Sequence, residues 1–331
     1  MPSAEMTPQS PSLPLDGPGP LLDAAADLVW KPDYENDSWF YFGQYDVNGE
    51  TINYLFHAMI IPLPEIGDAV QLIVAISNET TGWYKADDRI MPLSKAEVKE
   101  GFDIKMPNGF IRGTLGNIDL EATLGDGSGK IALHIAAPGP VIFNAGVGEF
   151  TGMDMHIHQY SIPRLATSGT IEIEGKSYQV EGTSWFDRQW QLLSKVPVSK
   201  LKWSWIGMTL DTGEALSVWS CPMQPGGSPR AWATILKADG TQMVIPVDPT
   251  LGATGEWKSD VTNYRYPTHW TVRIPEMDAV LDVDPRPLKQ EVVSREAPVL
   301  SKYEGASRVT GTWQGKSVTG FGYVELVGNW S

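Results

Sequence analysis

Between Met153 and Trp205 the chain gathers most of the side chains that could do chemistry. In Met155-His156-Ile157-His158-Gln159-Tyr160, strand alternation puts His156, His158 and Tyr160 on one face. Two imidazoles so spaced could begin a metal site. A metal needs at least a third ligand, however, and His57, His134 and His269 lie far off in sequence. The expectation is therefore no metal. The two rings are read as ordinarily hydrogen-bonded, or one of them, His158, as a general base beside a cavity. Trp185-Phe186-Asp187-Arg188-Gln189-Trp190 divides in the same way. Trp185, Asp187 and Gln189 share one face; Phe186, Arg188 and Trp190 share the other. A carboxyl packed between indoles is desolvated, and its pKa rises unless a cation or donors compensate. Such a group can serve as acid or base, or bond a polar atom of a ligand. The structural alternative has Asp187 and Arg188 capping a barrel end, with the guanidinium stacked on indole. Lys202-Trp203-Ser204-Trp205-Ile206 repeats the pattern, and Trp219 is expected on the adjacent antiparallel strand.

These residues must be positioned by strands. Thr170-Ile-Glu-Ile-Glu-Gly-Lys-Ser-Tyr-Gln-Val-Glu alternates on both sides of a Glu174-Gly175 turn. Further hairpins are expected at Asn48-Gly49, Asn108-Gly109, Asp126-Gly127, Thr212-Gly213, Asp239-Gly240 and Gln314-Gly315, where the turn residues accept positive φ. Turns at this spacing predict an all-β sandwich or barrel. Helical periodicity is credible only over residues 21–29 and 92–100. Residues 192–200 break the alternation, and residues 282–297 read as a long loop or edge crossing. The division expected is a flexible leader (1–24) and two β-domains in contact (25–195 and 196–331), with a cleft or barrel mouth as the binding site.

Composition narrows the function. The 331 residues include 13 Trp, 11 Tyr and 9 Phe, more indoles than a dry core satisfies easily. An aromatic-lined cavity for a large, mostly apolar ligand explains the excess, with Tyr41 and Tyr84 as further contributors. A net charge of −15 argues against nucleic acid and anionic membrane surfaces. No apolar run reaches about 18 residues, so no membrane span is expected. The leader lacks Lys, Arg and an apolar run, which predicts a cytoplasmic protein. The lone Cys221 excludes an internal disulfide framework and reads as an inert thiol. No Gly-x-Gly-x-x-Gly after a strand, Walker loop or Gly-x-Ser-x-Gly elbow is present, so any chemistry is expected to need no cofactor.

Tyr160-Ser-Ile-Pro-Arg-Leu165, the hairpin over residues 169–180 and Gly182-Thr-Ser-Trp-Phe-Asp-Arg-Gln-Trp190 together resemble the hydroxyneurosporene synthase (carotenoid hydratase)-like family. Tyr303-Glu304-Gly305 and Gly322-Tyr-Val-Glu-Leu-Val-Gly328 are similar to its closing motif. The resemblance implies two lipocalin-like β-domains around an apolar pocket. It includes hydratases and decalin-forming Diels–Alderases, so it defines architecture better than reaction. The leading expectation is a cofactor-independent cyclase performing a [4+2] cycloaddition on a lipophilic polyene or polyketide-derived intermediate. Trp185, Trp190, Trp203, Trp205 and Trp219 would hold the chain, and Asp187, Tyr160 or His158 would bond its carbonyl. One alternative is a hydratase using Asp187 or Glu325 as a protonated acid. The other is a carrier of lipophilic ligands.

Overall fold

The computed structural model describes residues 22–63, 65–99, 101–193, 200–221 and 230–330. Among them strands dominate and no α-helix occurs. Two antiparallel sheets, of thirteen and ten strands, curl into lipocalin-like half-barrels. The first runs in sequence from Asn36–Val47 to Lys176–Gln191, and these first and last strands pair with each other. The second repeats that closure, with Trp203–Leu210 paired to Lys316–Val327.

The tight turns obey local backbone chemistry. Asn48-Gly49, Glu174-Gly175 and Gln314-Gly315 each hold two successive positive φ values, 54° and 80°, 49° and 82°, 50° and 69°. Such a turn matches the right-handed twist of the strands that it joins. At Asn108-Gly109 the loop sits one residue earlier, because Met106 pairs with Gly109. Both helix expectations are corrected. Among the described residues, 22–29 supply only the 3-10 turn Ala26–Leu28, and 92–99 give Leu93–Lys95 followed by the strand Glu97–Lys99. A helix this short does not sustain itself, whereas pairing with Asp103–Met106 satisfies the backbone at once. Residues 282–297 are likewise more regular than expected: Ala279–Pro285 enters them, and Glu291–Val292 pairs with Lys302–Trp313. Most of the predicted leader, and residues 194–199 of the predicted boundary, lie outside the described residues.

Strand alternation sorts the aromatic residues into three clusters. Trp39, Tyr41, Phe186 and Trp190 fill the core of the first sheet. Trp270, Tyr303 and Trp313 fill that of the second. Phe40, Phe42 and Trp185 pack between the sheets against Trp205, Trp219 and Tyr323. Trp205 and Trp219 sit directly opposite each other on neighbouring antiparallel strands, as expected. Gly207, two residues beyond Trp205 on the same strand, makes room for that ring. A Cβ there would stand 2.5 Å from Trp205 Cη2 and 3.2 Å from Phe42 Cζ. Gly207→Ala is therefore expected to lower stability by about 1–3 kcal/mol, as overpacking does, and to alter the near-ultraviolet circular dichroism. Unchanged denaturation and spectra would refute this view of the junction.

Candidate functional site

Between the sheets lies a cavity of about 170 Å³, more than ten times the room one water needs. Its walls are apolar: Phe40, Met59, Met153 and Met155 from the first sheet and its hairpins, Trp205 and Trp219 from the second. Asn36, Gln71, Gln189 and Gln191 also line it, and two groups of ionisable residues interrupt the apolar surface.

The first centres on Asp187, which is 5% exposed. Its Oδ1 accepts the Trp185 indole N–H at 2.7 Å, and its Oδ2 accepts the Gln159 amide at 3.2 Å. Gln159 in turn accepts the Trp219 indole N–H at 2.9 Å, so one glutamine ties the carboxyl to the facing sheet. Burial pushes the carboxyl up to about 7, with the charge on Glu325 acting in the same direction. Hydrogen bonds from Ser161, Trp185 and Gln159 oppose this without cancelling it. Near neutral pH the group is thus shared between acid and carboxylate.

The second is a charge cluster. Lys302 Nζ lies 2.7 Å from Glu325 Oε2, 2.6 Å from Glu304 Oε1 and 3.3 Å from His57 Nδ1. Burial alone would lower the lysine, but the two carboxyls hold it above its usual value. Burial raises Glu304 well above the ordinary carboxylate value, against the pull of Lys302. Burial acts on Glu325 too, yet Lys302 and the hydrogen bonds from Lys302 and Trp203 outweigh it and keep it ionised. Burial, helped by Lys302, holds His57 well below its usual value and hence neutral. An ammonium can only donate, so Nδ1 accepts from Lys302 and Nε2–H donates to Ser38 Oγ at 2.8 Å. The cluster thus sets one lysine among two carboxyls and a neutral imidazole.

Asp187, Glu325, Trp203, Trp205 and Trp219 thus meet at the cavity, with Trp185 bonded to Asp187 behind the wall. Tyr160, His158, Trp190 and Tyr41 are not brought there. His158 and Tyr160 pair across the sheet with Trp190 and Arg188, which places them on the opposite face from Asp187. Tyr160 donates to the Ala24 carbonyl at 2.7 Å, and Tyr41 stacks on Phe186 at 4.3 Å inside the first core. Tyr84 packs against the inter-sheet cluster without reaching the cavity. Arg188 fulfils the structural alternative. Fully buried, it pairs with Asp37, donates to the carbonyls of Asp27, Val29 and Ser38, and lies over Trp39 and Trp190. The buried Cys221 thiol is pushed up to about 12 and is inert. His57, Lys302, Glu304 and Gln159 are the residues that sequence reasoning missed. Lys302-Tyr303-Glu304 did offer a signal, since alternation places its two charged groups on one face.

The fold and this cavity define a lipocalin-like β-protein with ionisable groups buried between two half-barrels. The chain belongs to the AttH-like family, whose model matches residues 17–329. This agrees with the family resemblance read from the residue 160–190 and 303–328 motifs. It is 28% identical over 194 residues to the dehydratase asqC of Emericella nidulans, covering 56% of this chain and 54% of that one. It is 28% identical over 243 residues to kievitone hydratase of Fusarium solani subsp. phaseoli, covering 69% and 66%. The chain thus spans between half and two thirds of the length of these curated relatives. Among solved structures, the Nitrosomonas europaea protein NE1406, itself assigned to AttH, superposes with a TM-score of 0.79 at 22% identity, covering 96% of this chain and 99% of that one. Kievitone hydratase from Nectria haematococca gives 0.77 at 20%, covering 96% and 98%. CghA gives 0.52 at 12%, covering 97% of each chain. At these identities the structural likeness establishes the fold alone. No helix among the described residues is long and apolar enough to cross a membrane.

Proposed function

We propose that this protein is a hydro-lyase, adding water to or removing it from an alkene of a lipophilic small molecule bound between the half-barrels. The observation that carries the reading is Asp187, a carboxyl held at about 7 against an apolar cavity. In hydration the Asp187 acid gives its proton to one alkene carbon, and water adds its oxygen to the other. The surplus proton of that water restores the acid. In dehydration the acid protonates the departing hydroxyl, the C–O bond breaks, and the carboxylate takes the neighbouring C–H proton. Either direction needs a group that gains and loses a proton near neutrality.

The Glu325–Lys302–His57 cluster is the second anchor, orienting a substrate oxygen at the far wall. Trp203, Trp205 and Trp219 supply the apolar surface. We divide the chain functionally as 25–195 and 196–331, each part lending one wall. The two curated relatives, named for a dehydratase and a hydratase, support this reading over the cyclase expected from sequence. The likeness to CghA is one of fold alone.

The test is incubation with kievitone and related alkenes in ¹⁸O-labelled water, followed by mass spectrometry. The expected product carries one solvent oxygen, and its rate of formation falls as pH rises above about 7. Turnover to an isomeric product without solvent oxygen would overturn the reading in favour of a cyclase. Tight binding without turnover would do so in favour of a carrier.

A further inference from the structure

The histidine pair singled out in the sequence lies outside the cavity and takes no part in the proposed reaction. His156 and His158 share a face of Met155–Ile173, with ring centroids 5.3 Å apart. The short strand Glu149–Gly152 folds back antiparallel and sets Glu149 directly opposite His158. The Glu149 carboxylate is hydrogen-bonded to His156 Nε2 and lies 4.0 Å from His158 Nε2. One donor atom from each of the three residues falls within 4.8 Å of the others.

Three further observations separate this group from an ordinary surface ion pair. His158 is fixed from behind. Its ring stacks on Trp190 at 5.2 Å with 2° between the planes, and the edge of Tyr34 meets it at 5.4 Å. Its Nδ1 is buried, so only Nε2 faces Glu149. Next, among the described residues no Lys or Arg forms an ion pair with Glu149. The carboxylate therefore faces two imidazoles and no lysine or arginine. Finally, the cluster is open on one side: the His156 side chain is 56% exposed, against 23% for Glu149 and 17% for His158. A second histidine–carboxylate cluster, His57 with Glu304 and Glu325, differs in this respect. There Lys302 already occupies the centre.

We propose that Glu149, His156 and His158 form a binding site for a divalent transition-metal ion, with zinc the best match. Two nitrogens and one carboxylate oxygen are a donor set that Zn²⁺ accepts, with water completing a tetrahedron. Donors bound to one zinc at about 2.0–2.1 Å lie no more than ~4 Å apart. The separations present close to that range by rotation of the exposed His156 and of Glu149, while the stacked His158 stays in place. A bound ion ties down the hairpin that also places Met153 and Met155 in the cavity wall. The site thus stiffens one side of the ligand cavity from outside.

The test is calorimetric titration of the full chain with zinc chloride at pH 7.5, with Co²⁺ absorption as a second readout. One equivalent of Zn²⁺ is expected to bind, and the Co²⁺ complex is expected to show visible bands of a four-coordinate nitrogen–oxygen site. His156→Ala and Glu149→Gln are each expected to weaken binding by tenfold or more. Both substitutions change partly exposed side chains, and an unchanged far-ultraviolet circular dichroism spectrum checks that the fold is kept. His269→Ala, which removes the histidine beside Asp282 and Asp284, leaves binding unchanged. Affinity falls at pH 5.5, because the imidazoles must be deprotonated to ligate. No zinc binding by the wild type, binding indifferent to His156→Ala, or loss confined to His269→Ala would each overturn the proposal.

Discussion

Asp187→Asn is expected to abolish most turnover while making the protein more stable at pH 8 and about equally stable at pH 5. The pH dependence follows from the direction of the pKa shift. Burial holds the folded Asp187 at about 7, against 3.8 for an unperturbed carboxyl. Between those values the folded state holds a proton that the unfolded state has released, so stability falls as pH rises across that window. That difference corresponds to roughly 4 kcal/mol, all of it forfeited above pH 7. An asparagine has no charge to desolvate and avoids that loss. It has a penalty of its own, because Gln159 already offers its amide to Oδ2 and its carbonyl to Trp219. An Asn Nδ2 in the place of Oδ2 therefore meets a donor, at about 1–2 kcal/mol. The net gain is on the order of 2–3 kcal/mol at pH 8 and shrinks to about zero at pH 5, where the unfolded carboxyl has already released its proton at a loss of roughly 1.5 kcal/mol to the wild type. Urea denaturation at the two pH values reads the difference. Turnover should drop by a factor of about 10²–10⁴, the usual worth of a general acid–base group. A variant that keeps full activity removes Asp187 from the chemistry. One whose stability difference does not change with pH removes the raised pKa.

The parity of the strands was legible in the sequence, and it carried much of the site. Alternation separated Asp187 from Arg188, and the structure places one beside the cavity and the other in a core. It also grouped Trp203 with Trp205, with Trp219 opposite. What alternation cannot give is the relation between two strands joined only through a long hairpin. His158 and Tyr160 are on one face of their own strand, but which face of the sheet depends on register with Lys176–Gln191. The pairing of His158 with Trp190 decides it. Chemical type misled in another way. Indoles were read as ligand walls because their N–H groups seemed too many for a core. In the folded protein Trp185, Trp203, Trp205 and Trp219 donate to Asp187, Glu325, Ser217 and Gln159. Those indoles hold polar groups in place as well as presenting apolar faces. The third ligand beside the histidine pair was hidden for a related reason. It is a glutamate seven residues upstream, and a search among histidines could not find it.

Lys302→Met is expected to lower stability by about 3–5 kcal/mol at pH 8, because it strands an ionised Glu325 without its cation. At pH 5 the loss should be smaller, and the reason again lies in the sign. In the wild type the lysine holds Glu325 below its ordinary value. That contribution is present above the unfolded pKa and lost as pH falls through the folded one. Without Lys302, burial is the largest influence on Glu325, and its pKa moves above the ordinary value. Its contribution then runs the other way and is lost as pH rises. The glutamate escapes the low-dielectric penalty at pH 5 by taking a proton. The double variant Lys302→Met/Glu325→Gln leaves no charge to strand and is expected to recover most of the loss, with a double-mutant coupling of several kcal/mol. Such recovery would mark the cluster as dispensable for folding, since an uncharged pair would fill the same space. The fold then does not require Lys302, and its presence at the cavity wall is explained by what it does there. It keeps one carboxylate ionised opposite an aspartate poised to be protonated, so that two carboxyls in one apolar cavity hold different charge states at the same pH. Additive effects in the cycle would mean that Lys302 and Glu325 act separately, and the cluster could not set that difference.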